Sequence, residues 1–103
     1  MVKYYLCYMK DDRHGGNNPK KSTLIEVSSI AVARAKAIKY LKDNMKSNLD
    51  YVEIQKVVRN GVKDVCEVYF KKGNYVAYYY DRNGEIVSKY LNVNGSLGKS
   101  FSY

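Results

Sequence analysis

The sequence predicts an α+β domain: an antiparallel sheet of about six strands in the order ββαββββ, with one amphipathic helix packed on one face. Three observations carry this. Residues 30–46 are rich in alanine and long side chains and repeat their apolar positions at helical spacing. On either side of that stretch, apolar residues recur at every second position, the period of a strand. Three short separators, Arg59-Asn60-Gly61, Lys72-Gly73-Asn74 and Arg82-Asn83-Gly84, have hairpin-turn composition and cut the second half of the chain into four strands. With 103 residues, 46% apolar and 27% charged, the chain suits one core over residues 1–93, followed by a Gly- and Ser-rich tail over 94–103.

The first strand, residues 2–9, alternates Val2, Tyr4, Leu6 and Tyr8 with Lys3, Tyr5, Cys7 and Met9. Both rows favour strand, so both faces are usable. Residues 11–21 are polar and hold two glycines and the only proline, which reads as a mobile loop. Strand character resumes over 22–27, giving a hairpin with a long loop. Ser28-Ser29 then offers a capping hydroxyl to the helix. Within the helix, Ile30, Ala37, Ile38, Leu41 and Met45 share one side, and Lys36, Lys39, Lys42 and Lys46 share the other. Arg34 projects from the apolar stripe, so it is expected to snorkel past the helix or to pair with an acidic strand residue.

The remaining strands are residues 51–58, 62–71, 75–80 and 85–93. A two-residue turn at Asn60-Gly61 would mix core with surface positions. A three-residue turn with Gly61 left-handed places Val52, Ile54 and Val58 beside Val62, Cys66 and Val68, with Phe70 on the same face. Tyr51, Glu53, Val65, Glu67 and Tyr69 then point away from the helix. The Lys72-Gly73-Asn74 turn leaves two registers open: one sends Tyr75 and Tyr79 outward, the other Tyr78, Tyr80 and Tyr90. In both, at least four tyrosines lie on the face that the helix does not cover. The tail either frays or folds back over that face with Phe101 and Tyr103.

A net charge of +8 favours partners that carry negative charge. No segment approaches the ~20 apolar residues of a bilayer span. The N-terminus has no secretory pattern, so a cytoplasmic protein with no membrane association is expected. Cys7 and Cys66 lack metal or redox spacing and suit reduced core thiols. Twelve tyrosines occur with 14 lysines, 9 asparagines and no tryptophan. Compositional bias accounts for that abundance but not for the placement.

Few catalytic constellations are available. The segment Gly15-Gly16-Asn17-Asn18-Pro19-Lys20-Lys21-Ser22-Thr23 lacks phosphate-loop spacing and leads into a strand. Asp11-Asp12-x-His14 is a poor metal cluster in a loop, and His14 is the only histidine. No catalytic residue, cofactor or metal is therefore expected, and the chain reads as a non-enzymatic binding protein.

Two readings follow. In the first, the protein engages nucleic acid or a nucleoprotein complex through the helix lysines Lys36, Lys39, Lys42 and Lys46 and the loop cations Arg13, Lys20 and Lys21. In the second, Tyr51, Tyr69, Tyr75 and Tyr79 form an interface for a protein partner or a homodimer. Small lysine- and tyrosine-rich domains of this kind are common among bacteriophage and mobile-element accessory proteins. One form of the second reading is thus an inhibitor of a host defence nuclease.

Overall fold

The structure, a computed structural model, describes residues 1–12 and 16–101, with the backbone alone at residues 11, 12 and 16–20. Seven strands and one helix follow in the order β1 (Val2–Asp12), β2 (Gly16–Val27), α1 (Ile30–Asn44), β3 (Tyr51–Val58), β4 (Gly61–Lys71), β5 (Asn74–Tyr80), β6 (Ile86–Leu91) and β7 (Leu97–Ser100). They form one antiparallel sheet in the order β2-β1-β3-β4-β5-β6-β7. The α+β class stands, with seven strands rather than six.

The extra strand comes from the stretch read as a tail. Residues 92–96 make a further turn, in which the Asn92 N–H donates to Ser96 O at 3.0 Å and the Gly95 N–H to Asn92 O at 2.9 Å. Leu97–Ser100 then pairs with β6, and the Phe101 N–H donates to Ser88 O at 2.9 Å. The first hairpin also departs from the sequence reading. Its ladder continues to Asp12↔Gly16, so most of the expected loop is strand. Pro19 is tolerated because β2 is an edge strand, and the register shift between Tyr8 and Met9 falls beside it.

Ser29 caps α1, its Oγ accepting from the Val32 N–H at 3.4 Å. The helix stops at Asn44 because Met45 turns extended, with ψ 130. Ala33, Ala37, Ile38 and Leu41 share one core with Tyr4, Leu6 and Tyr8 of β1, Val52 and Ile54 of β3, Cys66 and Val68 of β4 and Ala77 of β5. These strand positions alternate, so they belong to one side of the sheet. Alanine at 33, 37 and 77 brings helix and sheet backbones close. Leu41, Ile54, Val52 and Val68 are fully buried; each such side chain is worth about 1.5–3 kcal/mol.

Among the described residues Arg34 meets no carboxylate. Its Nε donates to the backbone carbonyl of Gly95 at 2.7 Å, tying α1 to the β6–β7 turn. This corrects the expected acidic partner: a backbone carbonyl from a distant turn satisfies the guanidinium where it emerges.

Two turns decide which side chains face the helix. Between β3 and β4, Val58 pairs with Gly61 and Val57 with Val62, so Val58 and Val62 do not share a face. The extra residue that the hydrophobic pattern demands sits inside β4 instead. Ile54 pairs with Cys66 and Gln55 with Asp64, leaving Val65 bulged. Val65 consequently packs against the core rather than away from it. Between β4 and β5, Lys72 (φ 51) and Gly73 (φ 81) form a two-residue left-handed turn closed by Lys71↔Asn74. That register sends Tyr78, Tyr80 and Tyr90 outward and packs Tyr75 and Tyr79 against the core.

The sheet also forks. β4 pairs with β3 from Gly61 to Tyr69 but with β5 only from Glu67 to Lys71. Beyond Tyr78, β5 continues beside β6 through Tyr79↔Val87 and Tyr80↔Ile86. The bulge at Val65 bends β4 at the place where the two strands separate.

Candidate functional site

Two surfaces differ in charge. The first is basic. Lys36, Lys39, Lys42 and Lys46 are all exposed along α1 and just past its end. Lys46 also borders a cleft of about 250 Å³, together with Lys10 and Lys21 from the first hairpin and with Asn44, Tyr8, Tyr40 and Asp50. The strand order makes this convergence, because β1 lies between β2 and β3, the strand that follows the helix. Of the other cations assigned to this surface from sequence, Arg13 lies outside the described residues, as does His14. Lys20 is described only as backbone within β2.

The floor of the cleft is aromatic and hydrogen-bonded. The rings of Tyr8 and Tyr40 meet at 5.6 Å, and the Tyr8 hydroxyl donates to Asp50 Oδ2 at 2.8 Å. Asp50 Oδ2 also accepts from the Lys46 N–H at 3.1 Å. Burial, and then the hydrogen bond to Asp50, push the Tyr8 phenol well above its ordinary value. The Tyr40 hydroxyl is buried and has no hydrogen-bond partner among the described residues. Nothing in the sequence singled out Lys10, Asp50 or the Tyr8–Tyr40 pair.

The second surface is the side of the sheet away from α1. Tyr51 and Tyr69 stack with centroids 4.6 Å apart, and Tyr78 meets Tyr69 edge-on at 5.2 Å. Tyr51 and Tyr69 therefore lie where the sequence places them, whereas Tyr75 and Tyr79 are corrected to the helix side. Farther along, Val76 and Phe101 are 0% and 7% exposed, and Phe101 meets Tyr90 edge-on at 5.3 Å. Phe101 thus packs at one margin of this face, beside Tyr90, and Tyr103 lies outside the described residues.

Carboxylates share the tyrosine surface. Glu53 and Glu67 are cross-strand partners. Gln55 Nε2 donates to Glu53 Oε1 at 3.1 Å and to Asp64 Oδ1 at 3.0 Å, and the Tyr69 hydroxyl donates to Glu67 Oε1 at 3.4 Å. Burial, then the hydrogen bond and charge of Asp64, raise the Glu53 carboxyl to about 7 despite the contact from Gln55. Glu67 and Tyr51 are raised as well, mainly by burial. Among the described residues no group of three His, Cys, Asp or Glu side chains is placed to hold a metal ion. The Cys66 thiol is pushed up to about 12, chiefly by burial, and so stays protonated. The side chains of Asp11, Asp12 and His14 lie outside the described residues.

The crowded carboxylates make stability depend on pH. The folded value of Glu53 lies above the ~4.3 of an unfolded chain, so the folded state binds its proton more tightly. That contribution is complete below about pH 4 and is lost as pH rises through about 7. Solvent reaching this partly exposed side chain screens part of the effect. In melting curves at pH 5 and pH 8, Glu53→Gln should gain on the parent protein by roughly 2 °C or more at the higher pH. An identical gain at both values would show that Glu53 titrates normally.

The Lys63–Glu67 stretch of β4 and, opposite it, Tyr78–Tyr80 at the end of β5 with the following Asp81 enclose a groove of about 680 Å³ at the fork. Comparison with protein-family models, with curated proteins and with solved structures finds no match to this chain.

Proposed function

We propose that the protein is a non-enzymatic nucleic-acid-binding protein that contacts phosphates through α1 and the adjoining end of the first hairpin. The observation that carries this reading is the nearness of two basic groups: Lys46, which directly follows α1 and its exposed Lys36, Lys39 and Lys42, lines the cleft of Lys10 and Lys21. From Lys36 to Lys42 the helical stripe runs about 9 Å at the helical rise, and Lys46 extends the basic surface past the helix end toward the cleft. The carboxylates around Tyr51 and Tyr69 disfavour phosphate on the opposite face, which leaves the helix side as the polyanion surface. Among the described residues no helix is long and apolar enough to cross a membrane.

Fluorescence anisotropy with labelled single-stranded and duplex oligonucleotides, titrated across salt, tests the proposal. About five phosphate contacts on a single strand give a log–log salt slope near −3.5. Lys36→Glu combined with Lys39→Glu should weaken binding at least ~10-fold and flatten that slope by about 1.4, while Tyr69→Ala leaves both unchanged. Absence of binding even at low ionic strength rejects the reading. Loss of binding with Tyr69→Ala but not with the lysine changes would transfer the function to the tyrosine face.

A further inference from the structure

From the fork in the sheet we infer a second, independent binding site: an extended segment of a partner protein, bearing lysine or arginine, adds as a strand along the free edge of β4. Residues 61–64 and 66 of β4 pair with β3 on one side, and among the described residues the stretch 61–66 has no ladder partner on the other. In an antiparallel strand, alternate residues turn their N–H and C=O groups to opposite edges. Part of this backbone therefore faces the groove, where a peptide strand satisfies it. The opposite wall is the diverging end of β5, so the gap, about 680 Å³ in volume, is bounded on two sides.

Charge selects the occupant. In a chain with ten carboxylates and a net charge of +8, four carboxylates gather at this place. Asp64, Glu67 and Asp81 line the groove, and Glu53, across from Glu67 and about half ionised near pH 7, adds its charge as the pH rises. Lys63 and Lys71 offset them only in part. The aromatic wall already accepts a cation: Lys71 Nζ lies 4.9 Å from the Tyr69 ring centroid and 5.5 Å from that of Tyr78. Tyr80 and Ile86, both exposed, supply apolar area for alternate side chains of the incoming strand.

The test uses the full-length protein and labelled peptides of about eight residues. One alternates lysine with valine, a second alternates glutamate with valine, and a third is the lysine peptide N-methylated at alternate amides. The lysine peptide should bind at least ~10-fold more tightly than the glutamate peptide, against the attraction that a +8 protein exerts on anions. N-methylation should remove that binding, because it deletes the donors that a ladder needs. Hydrogen exchange should show new protection at residues 62–66 when the lysine peptide is bound. Lys36→Glu with Lys39→Glu should leave the preference intact, which separates this site from the nucleic-acid surface. Asp64→Lys with Glu67→Lys should abolish it. Equal or tighter binding of the glutamate peptide, insensitivity to N-methylation, or protection confined to the edges at β2 or β7 would overturn the inference.

Discussion

Gly95→Ala is expected to lower the melting temperature by roughly 10–20 °C, because two costs coincide at that position. Gly95 has φ +85, a left-handed conformation that costs a residue with a Cβ about 1–2 kcal/mol. An added Cβ would also fall 1.8 Å from Ala31 O and 2.7 Å from Ala35 N, both helix backbone atoms that have no rotamer to change. The β6–β7 turn must then lift from α1, which breaks the bond from Arg34 Nε to Gly95 O and adds about 1–3 kcal/mol of packing loss. Gly84→Ala is the control. Its φ is +76, yet nothing lies within 4 Å of the added Cβ, so backbone strain acts alone and the expected loss is about half that of Gly95→Ala or less. Equal losses in the two variants would show that the contact between turn and helix contributes nothing.

That contact marks a boundary of what residue patterns disclose. The helix and the β3–β6 meander are legible because apolar period and turn composition are local properties, and the lysine stripe follows from the same helical spacing. Arg34 is readable as a misplaced charge, but its partner is a backbone carbonyl 61 positions away, and no residue type announces a carbonyl. The need for one extra residue between β3 and β4 is also readable, since a period of two demands it. Its position is not, because a bulge at Val65 and a longer turn at Gly61 restore the same core pairing of Val52 with Val68 and Ile54 with Cys66.

The outward tyrosines were ambiguous for a related reason. Their direction hangs on Lys72 adopting φ 51, which non-glycine residues seldom do. Residues 22–27 of β2 are legible, but its first half and all of β7 stay hidden because both strands are edges: polar residues are allowed along them, so no apolar alternation marks those stretches. Strand order in turn decides the candidate sites. The cleft exists because β1 and β2 carry Lys10 and Lys21 to the end of α1, and the groove exists because β4 and β5 part company.

Asp50→Ala should cost about 2–4 kcal/mol, more than Tyr8→Phe at the same site. Asp50 is 1% exposed and lies in the segment that follows α1, where its Oδ2 accepts from both the Tyr8 hydroxyl and the Lys46 N–H. Truncation removes the acceptor and strands a phenol inside the core, together with a backbone donor at the mouth of the basic cleft. Tyr8→Phe removes a single donor, and the carboxylate keeps the Lys46 N–H. The double variant should therefore be no less stable than Asp50→Ala alone, since deleting a phenol that has already lost its acceptor relieves a desolvated group. Urea unfolding of the four proteins measures the coupling, expected at about 1–3 kcal/mol. Strict additivity of the two losses would mean that Tyr8 and Asp50 do not stabilise one another. Asp50→Asn keeps an acceptor oxygen without the charge, so it should fall between the parent and Asp50→Ala. If nucleic acid binds at the cleft, that folded variant should also bind it at least as tightly, because one negative charge has left the wall beside Lys10, Lys21 and Lys46.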